Sequence, residues 1–398
     1  MNSVVRKLKS LRSYFYQVPW CVPDWGWPEW RICLRLALTG KIRKGGYGPR
    51  LADEVKTLLG REYAVPVARG RDALWLALRC LEVRPEDEIV LPSYICRSVL
   101  EAVVMSGATP IFADVGSDLH VTAATVAAVL TPRTRCVIVP HLFGGLAPIA
   151  EIESLLRQRN IALIDDAAQG FGAQCGGRKL GGFGEFGVVA GGPGKPLATV
   201  TGAVLVMDAP EYFDRANRVS LPLESTARIL RRSLEFWIYR CFRRYTAALE
   251  VLQDRLGGFP PADPNPHAIA NLDAALMQRQ IGSVRELAGC RVRHGRRLAE
   301  ALAPLDWKIL TEISEEALAL KLTIVLPPSG PDRDRVLRAF ACAGIECQTG
   351  YAPCQSGGDT SCPVTASLWN RVFCMPLETA FPNPERLTKI ARTLAEGC

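Results

Sequence analysis

The sequence predicts an α/β fold, with a large unit built on a mostly parallel, helix-covered sheet and a smaller α+β unit after it. Two observations carry this. Between about Gly40 and Met207, short apolar runs alternate with segments of helical spacing, the pattern of a parallel sheet with helical crossovers. The stretch Gly257-Gly-Phe-Pro-Pro-Ala-Asp-Pro-Asn-Pro266 then interrupts the chain with turn-forming residues. The expected organisation is an N-terminal arm over 1–38, a large unit over 39–262 with a basic helical insertion near 225–255, and a small unit over 263–398.

The elements follow in order. Residues 1–38 are basic and aromatic: Arg6, Lys7, Lys9 and Arg12 precede Tyr14, Phe15, Tyr16 and Trp20, and then comes Trp25-Gly-Trp-Pro-Glu-Trp30. Such an arm wraps over the main unit or a dimer neighbour, or it anchors at a membrane interface, where tryptophan and tyrosine are favoured. Strand-like runs occur at Ala64–Ala68, Glu88–Pro92, Thr109–Asp114, Arg135–Pro140, Ile161–Asp166, Phe186–Ala190 and Ala203–Met207. Helical spacing marks Asp72–Glu82, Ser98–Ser106 and Ile149–Arg159 between them. The segment Arg228–Tyr245 reads as a strongly basic helix. Its arginines are either solvated over a packed face or turned toward anionic lipid. Beyond the break, Asn271–Ala303 reads as one long helix or a bent pair. Leu318–Leu326 reads as a strand, and Asp332–Ala343 and Pro384–Glu396 as helices.

Composition narrows the function classes. Apolar content of 48% and charged content of 22% over 398 residues are ordinary for a globular protein. The net charge of +8 suits anionic substrates or an acidic membrane surface, but no nucleic-acid-binding signature accompanies it. Fourteen cysteines lie scattered without a CxxC pair, and none of the four histidines clusters with them. No metal site is expected. No apolar run reaches the roughly 18 residues that span a bilayer, and no cleavable signal is evident, so reduced thiols in a cytoplasmic protein are expected.

Ligands on parallel sheets collect at the carboxyl ends of the strands, and there the chain carries one suggestive pair. Ile161-Ala-Leu-Ile-Asp-Asp-Ala-Ala-Gln-Gly170 is a buried strand ending in two acids. Val188-Val-Ala-Gly-Gly-Pro-Gly-Lys195 is a strand running into a glycine-rich loop with one amine. Lysine is scarce, ten in all, and Lys195 stands out between two apolar strands. A carboxylate at a strand tip and a lysine on a neighbouring loop suit pyridoxal phosphate, with Lys195 as the Schiff-base lysine and Asp166 keeping the pyridine nitrogen protonated. Gln169 lies three residues on, within reach of the cofactor's phenolic oxygen, and Ala168 is small enough to lie flat beneath the ring. Gly70, Arg71 and Asp72 open a helix directly after a strand. Backbone amides at such an end bind phosphate, and Arg71 adds charge.

These residues resemble the DegT/DnrJ/StrS sugar aminotransferases, a branch of the fold-type I pyridoxal phosphate enzymes. The resemblance runs from about Gly45 to the C-terminus. It rests on Gly70-Arg-Asp-Ala-Leu74, Asp87-Glu-Ile-Val-Leu-Pro-Ser93, Gly107-Ala-Thr-Pro-Ile-Phe-Ala-Asp114, His141-Leu-Phe-Gly144, Ile164-Asp-Asp-Ala-Ala-Gln169, Lys195, Gly344-Ile-Glu, Cys362-Pro-Val-Thr-Ala366 and Met375-Pro-Leu377. It implies a fold-type I transferase with a seven-stranded sheet and a homodimer with two active sites. It also implies transfer of an amino group from glutamate to a keto sugar, nucleotide- or lipid-linked, for surface polysaccharide or secondary metabolites. Several positions depart from the family pattern. Arg71 stands where a hydroxyl residue is usual, Ala190 where a serine is usual, Cys96 where an aromatic often covers the ring, and Val200-Thr-Gly-Ala203 where Gly-Glu-Gly-Gly is usual. These departures keep a rival open, a catalytically silent homologue serving as scaffold or regulator.

Overall fold

A computed structural model describes residues 25–241, 265–305, 307–314, 316–352 and 361–377. The expected arm up to residue 24, the expected basic insertion beyond Cys241, most of the Pro/Gly stretch and the expected C-terminal helix lie outside the described residues.

Nine strands lie in the first part of the chain: β1 (Tyr63–Val67), β2 (Glu88–Pro92), β3 (Thr109–Ala113), β4 (Thr134–Pro140), β5 (Ala162–Asp166), the short hairpin strands β6 (Gln174–Cys175) and β7 (Arg178–Lys179), β8 (Phe186–Ala190) and β9 (Ala203–Met207). Seven of them form one sheet in the order β1-β9-β8-β5-β4-β2-β3. Strands β3, β2, β4, β5 and β8 pair in parallel, and β9 alone runs against both its neighbours. The reversal follows from the connection: the loop from Gly191 to Gly202 contains no helix, and a parallel crossover needs one. The sheet is covered on both faces. Within β4, Val137 and Val139 join one core cluster while Cys136 and Ile138 join the other, the period-two alternation of a doubly covered strand. The seven expected strands are all present, their ends moved by a residue at most.

A second, antiparallel sheet has the order β10-β11-β13-β12, from β10 (Lys308–Ile309), β11 (Lys321–Val325), β12 (Gln348–Thr349) and β13 (Val372–Pro376). The helix Arg333–Cys342 packs on it through Phe340, which meets Phe373 and Leu322 in one core cluster. This sheet is fastened to the first by Asp114, just past β3. Its carboxylate accepts the N–H groups of Val364 (2.8 Å) and Thr365 (3.0 Å) and the Thr365 hydroxyl (2.9 Å), capping the helix Pro363–Leu368. The long helical region is a pair, Asn271–Ile281 and Val284–Leu302, interrupted at Gly282-Ser283.

The basic helix runs over Thr226–Cys241. It buries Ile229, Ser233, Phe236 and Trp237 against Trp25 and Leu36 and leaves Leu230 and Leu234 exposed. One of its arginines is far from solvated. Arg232 bridges two buried carboxylates, bonding Glu224 and reaching Asp273 at 2.6 Å. Arg69 completes the network at 2.7 Å from Glu224.

Candidate active site

Strands β1, β5 and β8 point the same way, so their carboxyl ends share one edge of the sheet. Gly70 follows β1, Asp166 ends β5, and Lys195 lies on the loop after β8. The fold therefore gathers on one edge residues up to 125 positions apart. The lysine loop is laced to the exit of β1. The Thr201 hydroxyl (2.6 Å) and the Gly202 N–H (2.9 Å) both donate to the Ala68 carbonyl. Within the loop the Lys195 N–H donates to the Gly192 carbonyl at 3.2 Å, and Gly194 takes the left-handed conformation that closes the turn.

Lys195 is half-buried as a residue, with its amine end withdrawn from water. Burial lowers the amine's pKa, and the Asp166 carboxylate pulls the other way without cancelling it. Among the described residues no hydrogen bond or ion pair holds Nζ. A Cβ on Gly70 would lie 3.7 Å from Nζ and a tight 3.1 Å from the Ala190 Cβ, so glycine leaves the most room beside the amine.

The two acids of β5 have different neighbours, as alternating strand positions require. The Asp165 Oδ1 bonds the His141 Nε2 at 3.0 Å, and its Oδ2 accepts the N–H groups of Gly181 and Phe183. The His141 Nδ1 accepts the Ala147 N–H at 3.2 Å, so its hydrogen sits on Nε2 and points at Asp165. Asp165 is thereby fully engaged in structure. Asp166 is buried as well, but among the described residues its carboxylate has a single hydrogen bond, from the Ala168 N–H at 3.1 Å. Burial raises its pKa, against the pull of that N–H and of Lys195. A buried acid with spare acceptor capacity asks for a cationic N–H, and a buried, unpartnered amine asks for a carbonyl. Both demands are met by one pyridoxal phosphate, so the residues present fit that group.

Gln169 is held at both ends of its amide. Oε1 accepts the Phe143 N–H at 3.0 Å, and Nε2 donates to the Tyr351 hydroxyl at 2.8 Å. Tyr351 stacks on Phe143, and its backbone N–H donates to the Tyr94 hydroxyl at 2.9 Å. A Cβ at Gly350 would fall 1.6 Å from that hydroxyl, which fixes glycine there. Burial pushes the Tyr351 hydroxyl well above its ordinary value, and its own proton has no acceptor among the described residues. Phe143 holds a left-handed backbone (φ 56°, ψ 19°), strained for an aromatic residue. Sequence reading missed Tyr351 and Phe143. The one available signal for Phe143 was the glycine after it, in the quoted His141-Leu-Phe-Gly144.

The helix Gly70–Cys80 starts without a side-chain cap, leaving first-turn amides for an anion. The Arg71 guanidinium pairs with Glu101 at 3.2 Å and lies 3.8 Å from Asp72. Asp72 is fully buried, accepts the His267 N–H at 3.3 Å, and has its pKa raised by burial. Ala168 and Cys96 are both partly buried against the core on one sheet face.

With this geometry in place, comparison with known proteins defines the class. The sequence pattern of the DegT/DnrJ/EryC1/StrS aminotransferase family matches residues 30–395, and the chain belongs to that family. A UDP-N-acetyl-3-dehydro-alpha-D-glucosamine 3-aminotransferase of Acidithiobacillus ferrooxidans is 38% identical over 175 residues, 44% of this chain and 47% of the relative. The chain thus spans about half the length of the curated relatives it matches. Among solved structures, the aminotransferase TlmJ from Streptoalloteichus hindustanus superposes with a TM-score of 0.76 at 23% identity, covering 96% of this chain and 99% of TlmJ. The PLP form of the sugar aminotransferase Spr1654 from Streptococcus pneumoniae gives 0.77 at 18%, covering 96% and 99%. At such identities these structures speak to the fold, and the fold is the expected fold-type I architecture.

Proposed function

We propose that this chain is a pyridoxal phosphate-dependent aminotransferase that moves an amino group from glutamate to the keto group of a nucleotide- or lipid-linked sugar. We further propose that it acts as a cytoplasmic homodimer. The observation that carries the reading is the buried Lys195 amine, which has no hydrogen-bond partner among the described residues, beside the under-bonded Asp166 carboxylate and the side-chain-free Gly70. Family membership and the sugar-nucleotide aminotransferase named above support the substrate class.

When bound, pyridoxal phosphate supplies an electron sink for the carbon that loses its proton. The rest belongs to the chain. The depressed pKa of Lys195 keeps a larger share of Nζ unprotonated, so that it can hold the cofactor's aldehyde carbon and later carry a proton at the substrate α-carbon. Asp166 would accept the ring N–H and keep that nitrogen charged. Gln169, fixed by Phe143 and Tyr351, would meet the oxygen side of the ring, and the small Ala168 would leave room for its face. The first turn formed by Gly70, Arg71 and Asp72, which no side chain caps, would receive the phosphate.

The test is a half-reaction. Protein loaded with pyridoxal phosphate and mixed with glutamate, without a sugar, should release one equivalent of 2-oxoglutarate per site. The Lys195→Ala variant should release none. A protein that takes up no cofactor and yields no oxo acid would favour the silent scaffold, a reading to which the Arg71–Glu101 pair in the phosphate loop lends its weight.

A further inference from the structure

We infer that the paired helices Trp27–Leu38 and Thr226–Cys241 present a docking surface for an anionic lipid membrane. The first helix exposes Trp27 (69% exposed), Trp30, Leu34 and Leu38 (78%), spaced three, four and four residues apart along one stripe. The second exposes Leu230, Leu234 (61%) and Ile238 at four-residue spacing. Between the stripes lies a groove of about 1080 Å³ floored by Trp237 and Leu272. Large exposed side chains grouped this way mark an interaction surface, whereas scattered ones do not.

Charge decides what the surface meets. The charged side chains lining the groove are Arg31 and Arg35, and no carboxylate lines it among the described residues. Glu29 of the same helix is turned inward, where it bonds Gln280 at 3.2 Å and faces Arg279 at 3.5 Å. Glu235 is matched by Arg231 one turn away. The sequence on either side adds Arg6, Lys7, Lys9 and Arg12 before the first helix and Arg243 and Arg244 after the second. Apolar stripes with tryptophan, flanked by arginine, are the composition of a helix lying in the headgroup region. Anionic headgroups would supply phosphates for Arg31, and for Arg35 beyond its bond to the Tyr47 hydroxyl. A second copy of the chain fits less well, because a two-fold contact sets a patch against itself and would bring arginine to arginine with no acid between.

The inner side of this unit touches the candidate site. The Trp25 indole, packed on Phe236, donates to the Ala198 carbonyl at 2.6 Å, three residues after Lys195. Membrane docking would therefore hold the lysine loop near the lipid surface.

Vesicle flotation with the full chain tests this without cofactor or substrate, so its failure leaves the proposed reaction untouched. The protein should float with phosphatidylcholine vesicles containing phosphatidylglycerol and not with phosphatidylcholine alone, and added salt should weaken binding. The double variant Leu34→Glu/Leu234→Glu and the single variant Arg31→Glu should each bind at least about tenfold more weakly, with unchanged circular dichroism and melting temperature. Three results would overturn the inference: no flotation with either vesicle, undiminished binding by both variants, or a drop in particle mass for the double variant, which would make the surface a contact between copies.

Discussion

Asp166 and Lys195 are each held in a setting that penalises their charge, and that tension is what a cofactor would relieve. The signs can be worked out. Asp166 has a raised pKa in the fold, so its contribution to stability is complete below the unfolded value of 3.8 and is lost as pH rises through the folded value. Lys195 has a depressed pKa, so its contribution is complete above 10.5 and is lost as pH falls through the folded value. Near neutral pH both groups burden the empty protein. Lys195→Met should therefore be at least as stable as the unmodified chain without cofactor, with an advantage that grows as pH falls from 10.5 to the folded value and then levels off, as urea titrations at several pH values would show. Asp166→Asn should keep or gain stability in the same assay, yet lower turnover by about a hundredfold or more. The strand-tip acid and the loop lysine were legible because each sits at the end of an apolar run. What Asp165 does was only half legible: alternation turns it from Asp166, but its bonds to His141, Gly181 and Phe183 come from distant loops. Tyr351 was not legible at all, since it meets Gln169 across 182 residues of chain. Tyr351→Phe removes that contact and should cost about 0.5–1.5 kcal/mol in denaturant unfolding.

Among the elements, the basic helix Thr226–Cys241 differs most from its reading in sequence. Charge runs usually mark a solvated face, and on that basis its arginines read as solvent- or lipid-facing. Arg232 instead binds Glu224 and Asp273 in the interior. Burial pushes Asp273 up to about 6, while for Glu224 the nearby Arg232 and Arg69 outweigh burial and hold it below its ordinary value. The contribution of Asp273 is thus complete below 3.8 and lost as pH rises through about 6. Replacing Arg232 with Met leaves two buried acids short of a partner. We expect a loss of about 3–5 kcal/mol at neutral pH, and a smaller one below about pH 6 as Asp273 takes up a proton, measurable by denaturant unfolding. The seven sheet strands were readable from their apolar runs. The hairpin β6–β7 and the two-residue strands β10 and β12 were not, because segments that short carry no periodicity.

For the molecule as a whole, the argument rests on strand direction. Because β1, β5 and β8 are parallel, three separate loops open on one edge, and the antiparallel β9 returns the lysine loop across the exit of β1. The alternation of helices and strands made the parallel sheet legible. The strand order and the reversal of β9 were not, since both depend on which loops are too short for a crossover. A ligand that binds only the folded state raises stability by mass action, about 2.7 kcal/mol at a hundred times its dissociation constant. Saturating pyridoxal phosphate should accordingly raise the melting temperature of the chain, and of Lys195→Ala much less. The most direct measurement of the central claim is chemical. Protein loaded with pyridoxal phosphate is reduced with borohydride, digested, and its peptides are mapped by mass. A pyridoxyl label on Lys195 alone is the predicted result; a label on another residue, or no label, would contradict the account.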